Sequence, residues 1–364
     1  MRFVSTLKDV PPYEPGARIE DVSARYGLDE VVKLASNEFP LPPFDEVKAV
    51  IAAGIDDLNR YPDGHCRELR DALAERYAHD AGGVVVGNGS CELLLLLGEV
   101  MLESGDEVVF ADPSFLLYRG LCMRRGAHPV TVPLRELTHD LEAMLAAVGR
   151  RTRMVIVCNP NNPTGTYLPA ADLAAFVEQV PEDVLVVVDE AYNEFVDTDD
   201  WQDTLKLPQR HENVVLLRTF SKIYGLCGLR VGYALCSAPV REAVDRVRQP
   251  FNVNGPAQRA AREALRHGDQ MLMRRRQTAE LRRRLQTALT AIGRPTVPSQ
   301  ANFMLVGSRG LRCPHEQVFE TLMSRGVIVR DGAALGLPGW LRVSVGTQHE
   351  IEVLIERLSR LVPA

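Results

Sequence analysis

The residue most able to do covalent chemistry is a lysine that follows a run of apolar residues. Lys222 ends the segment Thr-Phe-Ser-Lys, which comes just after the apolar run 214–217. A lysine whose pKa is lowered by burial or by nearby positive charge is a nucleophile that forms imines with aldehydes. Arg230, eight residues later, can supply that charge while binding a phosphate. A loop lysine is more often solvated, so this chemistry depends on its neighbours.

A carboxylate stands in a similar place on another predicted strand. Asp189 comes directly after the apolar run 184–188 and is followed by Glu-Ala-Tyr. An unpaired anion at the end of a buried strand is costly, so Asp189 needs a cationic partner, for which a protonated pyridine nitrogen is suitable. Tyr192 can then donate to an oxygen on the same ring. The alternative is that Asp189 caps the N-terminus of a helix.

Two further loops carry unusual polar residues after predicted strands. Residues 87–92, Gly-Asn-Gly-Ser-Cys-Glu, join a strand to a helix, and such a turn offers glycine backbone and free N–H groups to a phosphate. The pattern is not GxGxxG, which disfavours dinucleotide binding. Residues 158–165, Cys-Asn-Pro-Asn-Asn-Pro-Thr-Gly, form an irregular loop with amides available to a ligand. Ligands of doubly wound sheets bind beyond the carboxyl ends of the strands, so we expect these loops to converge.

The elements that must position these loops alternate between strands and helices. Short apolar runs predict strands at 83–87, 107–110, 129–132, 154–157, 184–188, 214–217 and 231–234, and amphipathic runs predict helices at 91–102, 115–125, 141–148 and 169–179. Nearly continuous apolar strands are covered on both faces. The alternation therefore predicts an α/β fold with a mainly parallel sheet sandwiched by helices.

The texture of the sequence changes after Pro250. A long helical stretch at 255–292 is followed by predicted strands at 303–306, 327–329 and 341–345 and a helix at 349–361, which is typical of a smaller α+β domain. We expect residues 46–254 to form the large domain, 255–364 the small one, and 1–45 to pack with the small domain and a dimer partner. Two arginine clusters in the helical stretch, 274–276 and 282–284, read as a solvated helix face.

Composition excludes several classes of protein. The 364 residues carry a formal net charge of −6, which argues against general nucleic-acid binding. The 7 cysteines are scattered and never spaced as CxxC, and the 8 histidines form no metal-binding pattern, so we expect reduced thiols and no metal site. The sequence has no signal-peptide pattern and no run long enough to span a membrane. Cytoplasm is the expected compartment.

In combination these segments resemble a known family. The ordered set GNGSxE, NPNNPTG, DEAY, TFSK and LRVG is similar, in sequence and spacing, to that of class II aminotransferases, which are pyridoxal-phosphate enzymes of fold type I, the aspartate aminotransferase-like fold. The outer segments, at 33–38, 60–63, 327–330 and 341–347, are most similar to those of histidinol-phosphate aminotransferases. The resemblance covers essentially the whole chain and implies a seven-stranded type of sheet.

The resemblance also implies a role for each matching residue. Lys222 is expected to form the Schiff base and to move the proton, and Asp189 to pair with the pyridinium nitrogen. The other expected cofactor contacts are Asn162 and Tyr192 at the phenolic oxygen, Phe115 stacked on the ring, and Ser90, Cys91, Glu92, Ser221 and Arg230 around the phosphate. Many relatives have Tyr where this chain has Phe115, so a hydroxyl is missing there. Tyr61 matches a tyrosine that reaches the neighbouring subunit's cofactor, which implies a homodimer with shared sites.

Substrate choice is the least determined feature. Arg342 matches the arginine that binds the acidic end of the substrate, with Arg330 as its helper for a phosphate, and Tyr13 is expected to line the pocket. A guanidinium fork suits a carboxylate or a phosphate equally well. The implied reaction is ping-pong transamination between histidinol phosphate and a 2-oxo acid, 2-oxoglutarate in particular. An aromatic amino-acid aminotransferase, a threonine-phosphate-type decarboxylase and, remotely, a non-catalytic regulator stay open as alternatives.

Overall fold

The computed structural model describes residue 1 and residues 16–363. In this part of the chain the strands are β1 (Val32–Lys33), β2 (Val84–Gly87), β3 (Glu107–Asp112), β4 (His128–Pro133), β5 (Thr152–Cys158), β6 (Leu185–Asp189), β7 (Val214–Thr219), β8 (Gly232–Leu235), β9 (Phe303–Gly307), β10 (Val327–Ile328), β11 (Arg330–Asp331) and β12 (Trp340–Ser344). The α-helices are α1 (Ile19–Tyr26), α2 (Asp45–Ala53), α3 (Arg67–Tyr77), α4 (Ser90–Met101), α5 (Leu117–Arg125), α6 (Leu141–Ala146), α7 (Ala170–Val177), α8 (Leu207–Arg210), α9 (Ala238–Val247), α10 (Gly255–Arg266), α11 (Gly268–Ala291), α12 (His315–Met323) and α13 (Gln348–Ser359).

The central sheet has seven strands in the order β2-β8-β7-β6-β5-β3-β4. All neighbouring pairs are parallel except those of β8, which runs antiparallel to β2 and β7. Successive residues of β6 enter different apolar clusters: Val186 and Val188 pack in one, Leu185 and Val187 in the other. Both faces of the sheet are therefore covered, which is why most positions in its strands are apolar. The predicted α/β fold is confirmed.

Two smaller sheets use the C-terminal strands. The antiparallel sheet β11-β12-β9 packs with α11, α12 and α13 around a separate apolar cluster. Strand β1 pairs in parallel with β10, so the chain near Val32 lies beside the C-terminal region. The proposed division into domains at residues 45 and 254 stays a prediction.

Polar side chains fix the ends of several helices. Asn254 accepts a hydrogen bond from the Ala257 N–H at the start of α10, and Thr347 with Glu350 forms a capping box at the start of α13. The predicted helical stretch 255–292 is interrupted at His267, where α10 ends and α11 begins. In the part of the chain that the structure describes, no helix is both long and apolar enough to cross a membrane.

The prediction of a solvated arginine face on α11 is wrong for one member of each cluster. Arg274 is buried, donates to the carbonyl oxygen of Ile223 at 2.8 Å, and places its guanidinium carbon 4.1 Å from the ring centroid of Phe44. Arg282 is buried as well and donates to the carboxylate of Asp197 at 3.0 Å. One side of α11 packs against the rest of the protein. One arginine of each cluster lies on that side and forms its hydrogen bonds there.

Candidate active site

The carboxyl ends of neighbouring parallel strands bring the predicted loops together. Strand β6 ends at Asp189, and the Asn159 N–H at the end of β5 donates to the Asp189 carbonyl at 2.9 Å. Strand β7 ends at Thr219, and the Phe220 N–H donates to the carbonyl of Val231 at 3.1 Å. The segments that carry the predicted lysine, aspartate and asparagine therefore leave the sheet at one edge, as expected from its topology.

Lys222 lies partly buried at this edge. Its Nζ donates to the carbonyl oxygens of Asn37 at 3.2 Å and Ser36 at 3.4 Å, and lies 5.4 Å from the ring centroid of Tyr192. Burial of the amine, followed by the positive charge of Arg342, lowers the pKa of Lys222 to about 8. An amine with this pKa has a far larger neutral, nucleophilic fraction near pH 7 than an ordinary lysine.

Asp189 is buried and its partners are neutral donors. Its Oδ2 accepts from the Tyr118 hydroxyl at 2.7 Å and its Oδ1 from the Ala191 N–H at 3.2 Å. Burial raises the pKa of Asp189, and these hydrogen bonds oppose the change. A cation beside the carboxylate would stabilise its charged form, and a protonated ring nitrogen is such a cation.

Tyr118 was missed by the sequence reasoning. It lies three residues after Phe115, and nothing in an amphipathic helical run marks one hydroxyl as a partner of a distant carboxylate. The half-buried ring of Phe115 packs edge-on against Tyr118, with centroids 5.7 Å apart. The stacking role of Phe115 stays a prediction, and its side chain lies beside the residue that binds Asp189.

Asn37 is a second residue whose role the sequence did not reveal. It is buried and adopts a positive φ of 54°. Its Nδ2 donates to the Tyr192 hydroxyl at 3.0 Å, and its N–H donates to Ser344 Oγ at 2.9 Å. Because its carbonyl also accepts from Lys222, Asn37 joins the lysine, the tyrosine and strand β12. Its position in the segment Ala-Ser-Asn-Glu, among the motifs of the resemblance, was the available signal.

Asn162 links the asparagine loop to the predicted substrate arginine. Its Oδ1 accepts from Arg342 Nη1 at 2.6 Å, while Arg342 Nη2 donates to the Ala35 carbonyl at 2.7 Å. Arg330 lies directly opposite Arg342 in the antiparallel register of β11 and β12. Residues opposite each other in such a pair project from the same face, so the two guanidinium groups start from neighbouring positions.

The glycine loop and Arg230 form a close-packed cradle. Helix α4 begins at Ser90 after Gly89, whose φ is 84°. A Cβ at Gly232 would lie 2.6 Å from the Ser90 nitrogen, and one at Gly89 would lie 2.5 Å from Arg230 Nη2. Arg230 Nη1 also donates to Ser221 Oγ at 3.2 Å. A helix N-terminus, a hydroxyl and a guanidinium thus surround one position, a donor set suited to a phosphate.

Cys91 and Glu92 occupy the first turn of α4. Burial raises the pKa of the Cys91 thiol, so its side chain is neutral and adds no negative charge next to a phosphate. The Glu92 carboxylate points back along the loop and accepts from the Asn88 N–H and from Asn252 Nδ2, each at 2.6 Å. Its negative charge is therefore directed onto the loop itself, which leaves its N–H as the group expected to face the phosphate.

One predicted site residue lies at the surface, and another falls outside the described residues. Tyr61 is 82% exposed, and its ring stacks on Phe251 with centroids 4.6 Å apart. Tyr13 lies outside the described residues. In the ranges that the structure describes, no group of three or more His, Cys, Asp or Glu residues is arranged to hold a metal ion.

The arrangement fits pyridoxal phosphate. A lysine with a lowered pKa, a buried carboxylate whose hydrogen-bond donors among the described residues are neutral, and a glycine cradle that a Cβ would fill match an aldehyde, a ring nitrogen and a phosphate respectively. Lys222, Asp189 and Arg230 would hold these three parts, with Tyr192 and Asn162 beside the ring. The assigned contacts stay predictions, while the residues present suit the cofactor.

Known proteins agree with this interpretation. The histidinol-phosphate aminotransferase of Geobacillus thermodenitrificans is 43% identical over 100% of this chain and 98% of its own length, and that of Brevibacillus brevis is 40% identical over 98% and 97%. The structure of histidinol-phosphate aminotransferase from Sinorhizobium meliloti in complex with pyridoxal-5′-phosphate superimposes with a TM-score of 0.91 and 29% identity, over 99% of this chain and 97% of that one. Residues 29–358 match the family model described as aminotransferase class I and II. The chain therefore belongs to the family of class I and class II aminotransferases.

Proposed function

We propose that this enzyme transfers an amino group between histidinol phosphate and 2-oxoglutarate, with pyridoxal phosphate as cofactor. The observation that carries the proposal is full-length similarity to histidinol-phosphate aminotransferases, with 43% identity to one of them. The pair of Arg342 and Arg330 supports it, since two guanidinium groups on one face suit the double charge of a phosphate monoester.

Arg342 is well placed to orient a substrate relative to Lys222. It is buried, it is hydrogen-bonded to Asn162, and its charge contributes to lowering the pKa of Lys222. An anion on Arg342 would neutralise part of that charge when a substrate binds. Arg330 is more exposed, at the start of β11, where it can bind the outer oxygens of a phosphate.

Lys222 supplies the proton transfers of the proposed reaction. When bound, pyridoxal phosphate supplies an electron-accepting ring that stabilises the negative charge left on the substrate carbon after proton loss. In its ionised form Asp189 would hold the positive charge at the ring nitrogen, and the Tyr118 hydroxyl would support that form through its hydrogen bond. Once its amine is neutral, Lys222 Nζ can accept the proton from the substrate carbon that bears the amino group and hold it for the next transfer.

We further propose a homodimer in which Tyr61 reaches the neighbouring subunit. Tyr61 and Phe251 form an exposed aromatic pair, and Leu58 and Ile55, in the turn just before, are exposed by 62% and 57%. Exposed apolar groups of this size are typical of an interface. Leu58→Asp should convert a dimer into monomers in sedimentation or light-scattering measurements, whereas Met273→Asp, at another exposed apolar residue, should not.

We propose a cytoplasmic location as well. All 7 cysteines are free thiols, including buried Cys66, Cys122 and Cys158. Proteins of reducing compartments retain thiols in this way.

A substrate screen tests the proposed reaction. Purified protein with pyridoxal phosphate is assayed with histidinol phosphate, phenylalanine, tyrosine and histidine as amino donors and 2-oxoglutarate as acceptor, and glutamate formation is measured. Histidinol phosphate should give the highest kcat/KM. A higher kcat/KM for phenylalanine or tyrosine would favour an aromatic amino-acid aminotransferase, which needs only the carboxylate contact of Arg342.

A further inference from the structure

A buried ion pair lies next to the site. It joins the end of β6, which carries Asp189, to the end of β7, which leads to Lys222. Arg218, in β7, has 0% exposure, and its Nε donates to Glu190 Oε2 at 2.7 Å. Glu190 is 1% exposed, and its Oε1 accepts from the Thr204 hydroxyl at 2.6 Å. The Nη1 and Nη2 atoms of Arg218 have no hydrogen-bond partner among the described residues. The bond to Glu190 is therefore the hydrogen bond that fixes this guanidinium.

The pair joins the strands just where their regular pairing ends. The register of β6 and β7 runs to Asp189 opposite Leu217. The next residue, Glu190, donates its N–H to the Leu217 carbonyl at 2.8 Å and then meets Arg218 through its side chain. Asp189 directly precedes Glu190 in the sequence, and the segment 219–222, which ends at Lys222, directly follows Arg218.

A hydrogen bond just after Arg218 ties the segment that contains Lys222 to the end of β7. Thr219 Oγ1 accepts from the Ser221 N–H at 3.1 Å, so the residue before Lys222 is bonded back onto the strand. Arg218 itself lies opposite Tyr233 in β8, and its guanidinium carbon is 5.3 Å from the ring centroid of Tyr77. The guanidinium thus lies beside aromatic rings and is bound to the Glu190 carboxylate, with Glu194 as a second carboxylate near it.

Stability alone does not account for such a pair. Moving two charges out of water costs several kcal/mol per ion, and apolar side chains of similar volume are often as stabilising or more so. What an ion pair adds is a defined separation, because the oppositely charged atoms bind at one distance and in one direction. In this chain the defined separation is that between the ends of β6 and β7.

We propose that Arg218 and Glu190 are positioning residues whose ion pair sets the spacing between Asp189 and Lys222 that the cofactor requires. The inference rests on the proposed cofactor site and not on the identity of the substrate. Removing the pair should therefore weaken cofactor binding by more than it weakens the fold. A pair with only a structural role would change stability and leave cofactor binding unaltered.

The test compares variants in and away from the pair. Arg218→Met, Glu190→Gln and the double variant remove the ion pair, while Val214→Ala, in the same strand and on the same face, removes buried apolar volume far from the site. The free energy of unfolding of each apoprotein is measured, as is the dissociation constant of pyridoxal phosphate by titration. Neither measurement involves a substrate, so failure of the proposed transamination would leave both unaffected.

The expected results differ between the variants. Arg218→Met and Glu190→Gln should each lose stability, since each leaves one member of the pair buried without its partner, and the double variant should recover much of that loss. The double variant and Glu190→Gln should nevertheless bind pyridoxal phosphate about tenfold or more weakly, as expected for misplacement of binding groups. Val214→Ala should lose stability and keep its affinity within about twofold of the native value.

The proposal is overturned if the double variant binds the cofactor as tightly as the native protein. It is also overturned if Val214→Ala weakens binding as much as the double variant, because the effect would then follow stability. If Arg218→Met gives no folded protein, Glu190→Gln and the double variant decide between these outcomes.

Discussion

The hydroxyl of Tyr118 donates to Oδ2 of Asp189 across 2.7 Å, and both residues are buried. The tyrosine lies on α5 and the aspartate at the end of β6, so the bond crosses from the helical layer to the edge of the sheet. A hydrogen bond of this kind favours the charged form of a carboxylate that burial alone would neutralise. Tyr118 therefore favours the ionised form of Asp189, which is the form that would pair with a cationic ring nitrogen.

Replacing Tyr118 with Phe should weaken cofactor binding. The variant removes a charge-assisted hydrogen bond and leaves the fold's apolar contacts in place, at a cost of roughly 1–3 kcal/mol, or about tenfold to a hundredfold in affinity. The dissociation constant of pyridoxal phosphate is the quantity to measure. Tyr26→Phe is the matched control, because it removes a phenol-to-carboxylate bond with Glu320 on the surface. Equal affinities for the two variants would remove Tyr118 from the site.

The lowered pKa of Lys222 predicts how the apoprotein takes up its cofactor. A neutral amine is required to react with an aldehyde, so the rate of uptake should rise with pH and level off above about 8. Arg342→Met removes a positive charge that lowers this pKa and should move the midpoint to higher pH. Stopped-flow measurement of the visible absorbance of the bound cofactor follows the reaction.

Two variants give outcomes that would contradict this prediction. Lys222→Ala should show neither the visible absorbance nor any turnover, and normal turnover by this variant would rule out the assigned nucleophile. A midpoint for Arg342→Met that does not move, or that falls, would show that the charge of Arg342 does not act on Lys222.

Arg330 should distinguish a phosphate from a carboxylate substrate. If Arg330 binds phosphate oxygens, Arg330→Ala should lower kcat/KM for histidinol phosphate by about tenfold or more and that for phenylalanine much less, since a lost charged hydrogen bond costs roughly 1.5–3 kcal/mol. Arg312→Ala, at an exposed arginine of the same C-terminal region, is the control. Equal losses on both substrates would mean that Arg330 makes no contact specific to the phosphate.

The sequence was sufficient for the parts of the molecule that repeat a simple pattern. Continuous apolar runs predicted every strand of the central sheet, because a strand covered on both faces is apolar at most positions. Lys222 and Asp189 could be found because each stands at the end of such a run, where an ionisable residue needs a reason. The topology of parallel strands then predicted that their loops would meet.

Other features depend on contacts between distant residues and left no pattern. Asn37 binds Tyr192 across 155 positions of sequence, and Arg282 turns inward to Asp197 although the other two arginines of its cluster are exposed. The burial of Arg218 was not foreseen either, since an arginine at the end of an apolar run also suits solvent. Local propensity does not encode such pairings, because each requires a partner brought close by the tertiary fold.

Glu194, beside the Arg218–Glu190 pair, should make stability depend on pH. It is 1% exposed, and neither of its carboxyl oxygens has a hydrogen-bond partner among the described residues. Burial raises the pKa of Glu194 from 4.5 to about 7, against the opposing charge of Arg218 and with a smaller contribution from Glu190. The hydroxyl groups of Tyr224 and Tyr233 face the same cluster and stay protonated in this range, because burial raises the pKa of each.

The sign follows from where the proton is bound. Between pH 4.5 and about 7 the folded protein keeps a proton on Glu194 that the unfolded chain has lost, so this group lowers the free energy of unfolding as pH rises through that window. Glu194→Gln is neutral at every pH and should be more stable than the native protein at pH 8, by up to about 3 kcal/mol. The advantage should shrink towards zero at pH 5. Denaturant unfolding of the apoproteins at both pH values measures it, with Glu178→Gln on the surface as control, and a difference that is the same at pH 5 and pH 8 would contradict the assignment.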